Sequence, residues 1–180
     1  ALVPLVLVLG WYAIAIVVSD RLLFTTARHL ASGELGQASA TYELARKWQP
    51  PGVSSDLWYS RRLVEAAGRS QRVIEGAGAL RLAVAAAARA TTNAEDRHNA
   101  FYNLASIQAA MNDSAGVESN LRLAIAAAPN WFKPHWTLAR LLALAGRRTE
   151  AEAEAERAVD LDGGVHPEVA RTLKAIRSKQ

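Results

Sequence analysis

The sequence predicts an all-α fold, an α-helical solenoid of about four helix pairs plus a capping helix, preceded by a long hydrophobic helix. Ala and Leu supply most of an apolar fraction of 51%, whereas the 180 residues include only 11 Gly and 6 Pro, and this composition favours helix. Two segments align at a spacing of 34 residues, as Leu104 and Leu138 do, and such a period is typical of helical repeats. Residues 1–18 contain no charged side chain.

Residues 1–18 are predicted to form a membrane-type or assembly helix. At 1.5 Å per residue this run is about 27 Å long, close to the thickness of a bilayer's hydrocarbon core. A signal peptide is disfavoured because there is no basic segment before the run and no small-residue cleavage site after it. A buried core helix is the remaining alternative. The side chains expected to contact lipid or other subunits are Val6, Val8, Trp11, Ile14 and Ile16.

The hydrophobic run leads into the first repeat without a helix breaker. We therefore expect one continuous helix from about Pro4 to about Ala31, whose second part, from Ser19, is the first helix of a repeat. The predicted segments are a hydrophobic helix at 1–18, a solenoid at 19–165, with repeats at about 19–52, 53–97, 98–131 and 132–165, and a C-terminal capping helix and tail at 166–180.

Small and large apolar residues alternate in these repeats because small side chains let two helices approach closely while large ones fill the gap to the next pair. Turns are expected near Gly33, Pro50 to Val53, Gly68, Thr91 to Asn93, Asn112, Pro129, Gly146 and Gly163. Asn93 is expected to cap the following helix. The predicted repeat-packing residues are Gly33, Ala38, Tyr42, Ala45, Leu104, Ala105, Ala124, Leu138, Ala139, Gly146, Ala151 and Ala158.

The chemistry-bearing residues do not form a recognisable site. There is no cysteine, and the four histidines are too far apart in sequence to make a metal-ligand pair. Four alternating glutamates, from Glu150 to Glu156, wind around a helix and are expected on a solvated outer face. We therefore predict no enzyme activity, no catalytic residues, no cofactor, no metal and no small-molecule substrate. The net charge of +4 rests on scattered arginines, which argues against nucleic-acid binding.

One aromatic cluster lies at the corner between the last two repeats. Trp131, Phe132 and Trp136 fall within six residues. Packing between repeats is the default explanation for such a cluster. The alternative is a docking patch, because tryptophan is enriched in the residues that dominate binding at protein interfaces.

The repeat positions resemble the tetratricopeptide repeat (TPR) family over roughly residues 19–165. The resemblance implies antiparallel helix pairs that dock other proteins or stack on their own kind, without enzyme activity. An apolar helix running into such repeats, with NWFKPHWTLARLLALAGR, AEAEAERAVDLDGG and HPEV, also looks like the C-terminal tail of bacterial O-antigen ligase-like proteins. No catalytic residue of those proteins can be assigned here, since their transfer site lies outside such a tail.

Two hypotheses for function follow, both at the bacterial cell envelope on its periplasmic or extracellular side. In the first, the protein is a self-assembly module whose partners are other protein chains, above all copies of itself, in an oligomer or filament held by residues 1–18. In the second, residues 1–18 contact membrane lipid, and the repeats recruit partners for envelope polysaccharide synthesis.

Overall fold

The computed structural model describes residues 2–178, with side chains from Val3 onwards, and all secondary structure in this range is helical. The expected all-α fold with a long apolar N-terminal helix is therefore confirmed. The helices of the described range are α1 (Leu2–Ala31), α2 (Leu35–Trp48), α3 (Asp56–Arg69), α4 (Val73–Asn93), α5 (Arg97–Ala110), α6 (Ser114–Ala127), α7 (Phe132–Leu144), α8 (Arg148–Asp162) and α9 (Pro167–Ser178).

The chain divides into two compact units, unit 1 ending at Glu95 and unit 2 beginning at Asp96. In unit 1, α1 packs along α2, α3 packs along α4, and α1 also contacts α3. In unit 2, α5 pairs with α6 and α7 with α8, while α7 contacts both α6 and α9. Each unit therefore consists of helix pairs that share their apolar faces, as a repeat architecture requires.

Small side chains line the contacts within the helix pairs. Five alanines of α4 are buried, and Ala38 and Ala45 of α2 are fully buried on either side of Tyr42. In unit 2, Leu121, Leu138 and Leu142 form the centre of an aliphatic core. Of the predicted repeat-packing residues, those buried are Ala38, Tyr42, Ala45, Leu104, Ala105, Ala124, Leu138, Ala139, Ala151 and Ala158.

The other two predicted packing residues, Gly33 and Gly146, are exposed and serve as turn residues. Their φ angles are +79° and +76°, in the left-handed region that glycine adopts without steric cost. Asn112 has a φ of +60° at the turn before α6. Gly163 is left-handed just after α8, with a φ of +61°. The expected turns at these positions are confirmed.

The turn expected near Thr91 to Asn93 comes slightly later, because α4 continues to Asn93 and the break is at residues 94–96. The hydroxyl groups of Thr91 and Thr92 donate to the carbonyls of Ala88 and Arg89, within the helix. Asn93 does not cap α5. Its amide instead donates to the Asp56 carboxylate over 2.8 Å, and Asp96 occupies the N-cap position.

The break expected near Gly68 lies slightly later in the chain. Gly68 remains within α3, which ends at Arg69. The amide of Ser70 donates to the carbonyl of Ala66 at 3.1 Å, and the Ser70 hydroxyl donates to the Arg72 carbonyl at 3.0 Å. These bonds hold the short connection to α4.

Candidate docking and membrane-contact surfaces

The second part of α1 is an ordinary repeat helix with one buried face. Its buried residues are Ala15, Ser19, Thr26 and Leu30, and their spacing of four, seven and four residues places them on one side of a helix. Thr26 is satisfied locally, since its hydroxyl donates to the Leu22 carbonyl over 2.9 Å. This face packs on α2 and α3.

The first part of α1 exposes apolar side chains in every direction. Val6, Leu7, Val8 and Leu9 are consecutive and all exposed, and successive helical residues differ by about 100°. The five side chains predicted to contact lipid or other subunits are all exposed, to between 45% and 64% of their surface: Val6, Val8, Trp11, Ile14 and Ile16.

By length and composition, α1 is able to cross a membrane. Val3–Ala31 has a mean hydropathy of 2.0 over its most apolar 18 residues, and only 11% of that window is buried. A core helix of a soluble protein is mostly buried, so the low burial argues against the core-helix alternative.

The packed part of α1 begins before residue 18. The Tyr12 hydroxyl donates to the carbonyl of Pro51 in the α2–α3 loop over 3.2 Å, and Ala15 is fully buried. The segment that is free on all sides therefore ends near Trp11. The boundary expected at residue 18 follows the end of the apolar run, whereas the structural boundary is set by where the α2–α3 loop reaches α1.

A buried carboxylate, Asp56, lies where the α2–α3 loop enters α3. Asp56 is 1% exposed and accepts bonds from Arg89 Nε at 2.9 Å, Asn93 Nδ2 at 2.8 Å and the Tyr42 hydroxyl at 3.1 Å. Arg46 adds a second guanidinium 3.7 Å away. Every one of these partners donates, so the buried carboxylate is paired, as burial of a polar group requires.

Tyr42 lies between this cluster and a second tyrosine. Its ring stacks on that of Tyr59, with centroids 3.7 Å apart and planes inclined by 16°. Burial, reinforced by the negative charge of Asp56, raises the pKa of the Tyr42 hydroxyl far above its usual range. Tyr42 therefore acts as a hydrogen-bond donor, and the cluster, which we call the Asp56 cluster (Tyr42, Asp56, Arg89 and Asn93), fixes the α2–α3 loop to the end of α4.

The three predicted docking aromatics are half-buried, and each contacts a different part of unit 2. Trp131 packs against the rings of Tyr102 and His98, with centroids 4.9 Å and 5.4 Å away. Phe132 lies 4.8 Å from the ring of His166.

The third aromatic, Trp136, donates its indole N–H to Thr172 Oγ1 over 2.8 Å. The guanidinium of Arg140 lies 5.4 Å from the centre of its ring. Packing contacts within unit 2 account for all three aromatics, and a docking role for them stays a prediction.

The glutamates of α8 lie on a partly to well exposed face and are paired with basic side chains. Glu150 accepts from Arg147 over 2.6 Å, and Glu152 from Arg177 over 2.6 Å. Glu154 bonds the ring of His135 over 2.7 Å. The fourth glutamate, Glu156, also pairs with Arg177. These partners come from the turn before α8 and from α7 and α9, so sequence spacing along α8 alone does not reveal them.

One groove of unit 2 combines apolar and cationic lining. It encloses about 480 Å³ between α7, α8 and α9, and its lining includes Arg140, Leu144, Arg148 and Ile176. Leu144 is strongly exposed, whereas Arg148 is engaged with the Ile176 carbonyl at 3.0 Å. Within the described residues, no three His, Cys, Asp or Glu side chains gather in a way that suits a metal ion.

Solved structures with a similar fold include TPR proteins. The first TPR domain of Spaghetti (RPAP3), bound to the HSP90 peptide SRMEEVD, aligns with a TM-score of 0.54 and 18% identity over 72% of this chain and 98% of that chain. A crystal structure of MamA aligns with a TM-score of 0.58 and 14% identity over 93% of this chain and 81% of that one. A second structure, MamA AMB-1, aligns with a TM-score of 0.57 and 17% identity over 89% of this chain and 81% of that chain.

Sequence comparison adds no closer relative, since no family model and no curated protein matches this chain. The identities to the solved structures are low, so these likenesses establish the fold and not a shared function. Together with the nine helices of the described range and their pairing, they confirm the architecture that the repeat pattern predicts: the chain has the fold of the tetratricopeptide repeat proteins.

Proposed function

We propose that this chain is a non-enzymatic protein-interaction module that α1 holds in a lipid bilayer at the bacterial cell envelope. The observation that carries this proposal is the exposure of apolar side chains on all sides of the first part of α1. A single protein partner covers one face of a helix, whereas lipid covers every face. A helix that is hydrophobic all round belongs in a membrane or in the core of a large protein, and this one is little buried.

The interaction role rests on the fold. Helix pairs of this type expose long surfaces on which other chains can dock, and the RPAP3 domain of the same fold was solved with a bound peptide. The resemblance of residues 130–169 to the tail of O-antigen ligase-like proteins supports a periplasmic position. There the repeats recruit protein partners for envelope polysaccharide synthesis.

The membrane role is tested by reconstitution of the full chain with phosphatidylcholine vesicles, followed by flotation and extraction at alkaline pH. We expect the protein to float with the vesicles and to resist extraction. The double variant Val6→Asp, Leu9→Asp should lose vesicle association, because two carboxylates in the apolar segment make insertion unfavourable. The matched control is Val73→Asp, an exposed valine at the start of α4, which should float like the unmodified protein.

Self-assembly is a second candidate, and one observation favours it. Phe24 and Leu44 are exposed on the repeat part of unit 1, beyond the segment that is free on all sides. An inserted N-terminal segment does not by itself cover them, whereas a second copy of the chain can. Covering these side chains with a second copy would remove apolar surface from water, which favours association.

Sedimentation without detergent or lipid distinguishes the two candidates. Uniform large particles that neither require vesicles nor change with the double variant would contradict the membrane proposal and favour assembly through the repeats. Large particles that the double variant converts to monomers would show that α1 joins subunits. Protein that stays soluble only with detergent or vesicles supports the membrane proposal.

A further inference from the structure

The α2–α3 loop lies beside α1 at the depth where the proposed lipid contact ends, and the following inference rests on the proposed membrane function. We infer that this loop, residues 49–55, is a second lipid-contact element of unit 1. Its tip at Val53 lies at the boundary between headgroups and acyl chains, two residues after Pro51, which Tyr12 contacts. The ligand is the bilayer surface itself.

The position of the loop along α1 is fixed by one hydrogen bond, from the Tyr12 hydroxyl to the Pro51 carbonyl at 3.2 Å. Exposed apolar side chains of α1 lie on both sides of this point, with Leu9 before it and Val17 after it. Val17 follows Tyr12 by five positions along the helix, a rise of about 8 Å. A bilayer whose acyl chains cover Leu9 and whose headgroups reach Val17 therefore has its headgroup boundary at the depth of the loop.

The composition of the loop suits this depth. From Trp48 to Ser55 the sequence is WQPPGVSS, without a charged side chain. Val53 is 54% exposed and Trp48 is also exposed. Tryptophan and tyrosine prefer the membrane interface because their rings are apolar and their N–H or O–H group reaches water or headgroups. Trp11, Tyr12 and Trp48 provide such rings.

Part of the backbone of the loop is paired or has no donor, which lowers the cost of approaching an apolar medium. Pro50 and Pro51 have no N–H to satisfy. The amide of Val53 donates to the Pro50 carbonyl at 3.1 Å, and the Pro51 carbonyl accepts from Tyr12. At the headgroup boundary, water and lipid headgroups can bond the remaining polar groups of the tip.

Ser54, the polar residue next to the tip, is hydrogen-bonded to the end of α4. The Ser54 hydroxyl donates to Asn93 Oδ1 over 2.9 Å, and Asn93 also bonds Asp56. The Asp56 cluster thus holds the base of the loop while Val53 stays exposed. Hydrogen bonds to Asn93 and Asp56 therefore hold the chain directly after the exposed Val53 side chain.

Depth-dependent fluorescence quenching tests the inference on the full chain. The chain has no cysteine, so Val53→Cys, Val6→Cys and Val73→Cys each give one labelling site for an environment-sensitive fluorophore. Val73 is the matched control, an exposed valine at the start of α4, and it is separated from the loop by the length of α3, about 20 Å. The labelled proteins are reconstituted into phosphatidylcholine vesicles that contain either doxyl-labelled lipid or none.

We expect doxyl lipid to quench the probe at residue 53 at least two-fold more than the probe at residue 73, and aqueous iodide to show the reverse order. Quenching by lipid at residue 6 together with equal, water-like behaviour at residues 53 and 73 would overturn the loop inference and leave the membrane proposal intact. A probe at residue 6 that lipid does not quench would contradict the membrane proposal itself.

Discussion

The two compact units contain the same kind of helix pair, but different side chains form their cores. Unit 2 has an aliphatic core centred on Leu121, Leu138 and Leu142. Its arginine–glutamate pairs lie on the surface, whereas the pairs of His135 with Glu154 and of His166 with Asp162 each have one buried member. Unit 1 has alanine-rich contacts and a buried carboxylate, Asp56, with a stacked tyrosine pair above it. The contrast lies in the cores: aliphatic side chains dominate that of unit 2, whereas in unit 1 a buried carboxylate with three hydrogen-bond donors joins α2, α3 and α4.

The largest expected effect is loss of an aliphatic core residue in unit 2. Leu121→Ala should lower the free energy of unfolding by about 3 kcal/mol, because it leaves a cavity in a fully buried site. Urea unfolding measures the loss, and hydrogen exchange by peptide should place it in residues 96–178. The control Leu123→Ala, at an exposed position of the same helix, should change stability by about 0.5 kcal/mol or less.

Loss of the buried carboxylate in unit 1 should have a slightly smaller effect. Asp56→Ala leaves Arg89, Asn93 and the Tyr42 hydroxyl without their acceptor, and we expect a cost of about 2–3 kcal/mol. Arg89 is one-third exposed, so water can compensate part of the loss. The lost hydrogen-exchange protection should lie in residues 2–95.

A matched variant of unit 1 separates this effect from the general loss of a negative charge. Glu65→Ala removes a carboxylate whose partner, Arg62, is also exposed, and exposed pairs contribute little. Stability should hardly change. If Asp56→Ala were equally harmless, unit 1 would be held by its alanine contacts, and the contrast between the units would fail.

Overfilling a helix contact should cost less again. Ala124 is fully buried between the helices of unit 2, so Ala124→Trp should cost about 2 kcal/mol. Thermal unfolding followed by circular dichroism checks this, with Ala126→Trp, an exposed position on the same helix, as control. Equal melting temperatures for the two variants would show that the repeat register assigned to α6 is wrong.

The smallest effect concerns the surface charges of unit 2. Hydrogen bonds from Arg122 and Arg147 lower the pKa of Glu118, and those from Arg147 lower the pKa of Glu150, both from 4.5. A carboxylate whose pKa is lower in the folded state stabilises the fold above its unfolded pKa, and this contribution disappears as the pH falls through the folded pKa. The melting temperature should therefore decline below about pH 4.5.

Arg147→Gln should make that decline shallower, because both glutamates lose a partner. Arg157→Gln removes the same charge from a side chain whose observed partner is the neutral Asn130, and should leave the slope of melting temperature against pH as it is. Identical slopes for the two variants would mean that the ion pairs around Arg147 contribute nothing.

Periodicity and turn chemistry are enough to predict most of the helices. The turns at Gly33, Asn112 and Gly146 follow from residues that tolerate a left-handed backbone, and the structure has positive φ angles at all three. The long helix α1 follows from the absence of a breaker between its apolar and repeat parts. These features depend on neighbours within a few residues, which a sequence shows directly.

Features that depend on distant partners could not be predicted. Asn93 has the type and position of a helix cap, yet it extends α4 because Asp56, 37 residues earlier, accepts its amide. The length of the free apolar segment depends in the same way on Tyr12 meeting Pro51, 39 residues later. The position of the candidate site along α1 is therefore a tertiary property, although its apolar character is a sequence property.

The continuity of α1 has a mechanical consequence. A helix of 30 residues is about 45 Å long, and the same rod carries both the apolar segment and the first helix of unit 1. No flexible linker separates the two, so a rotation of the apolar end of α1 rotates unit 1 by the same angle. If the bilayer fixes the tilt of the N-terminal segment, it also fixes the angle between the helix pairs of unit 1 and the membrane plane.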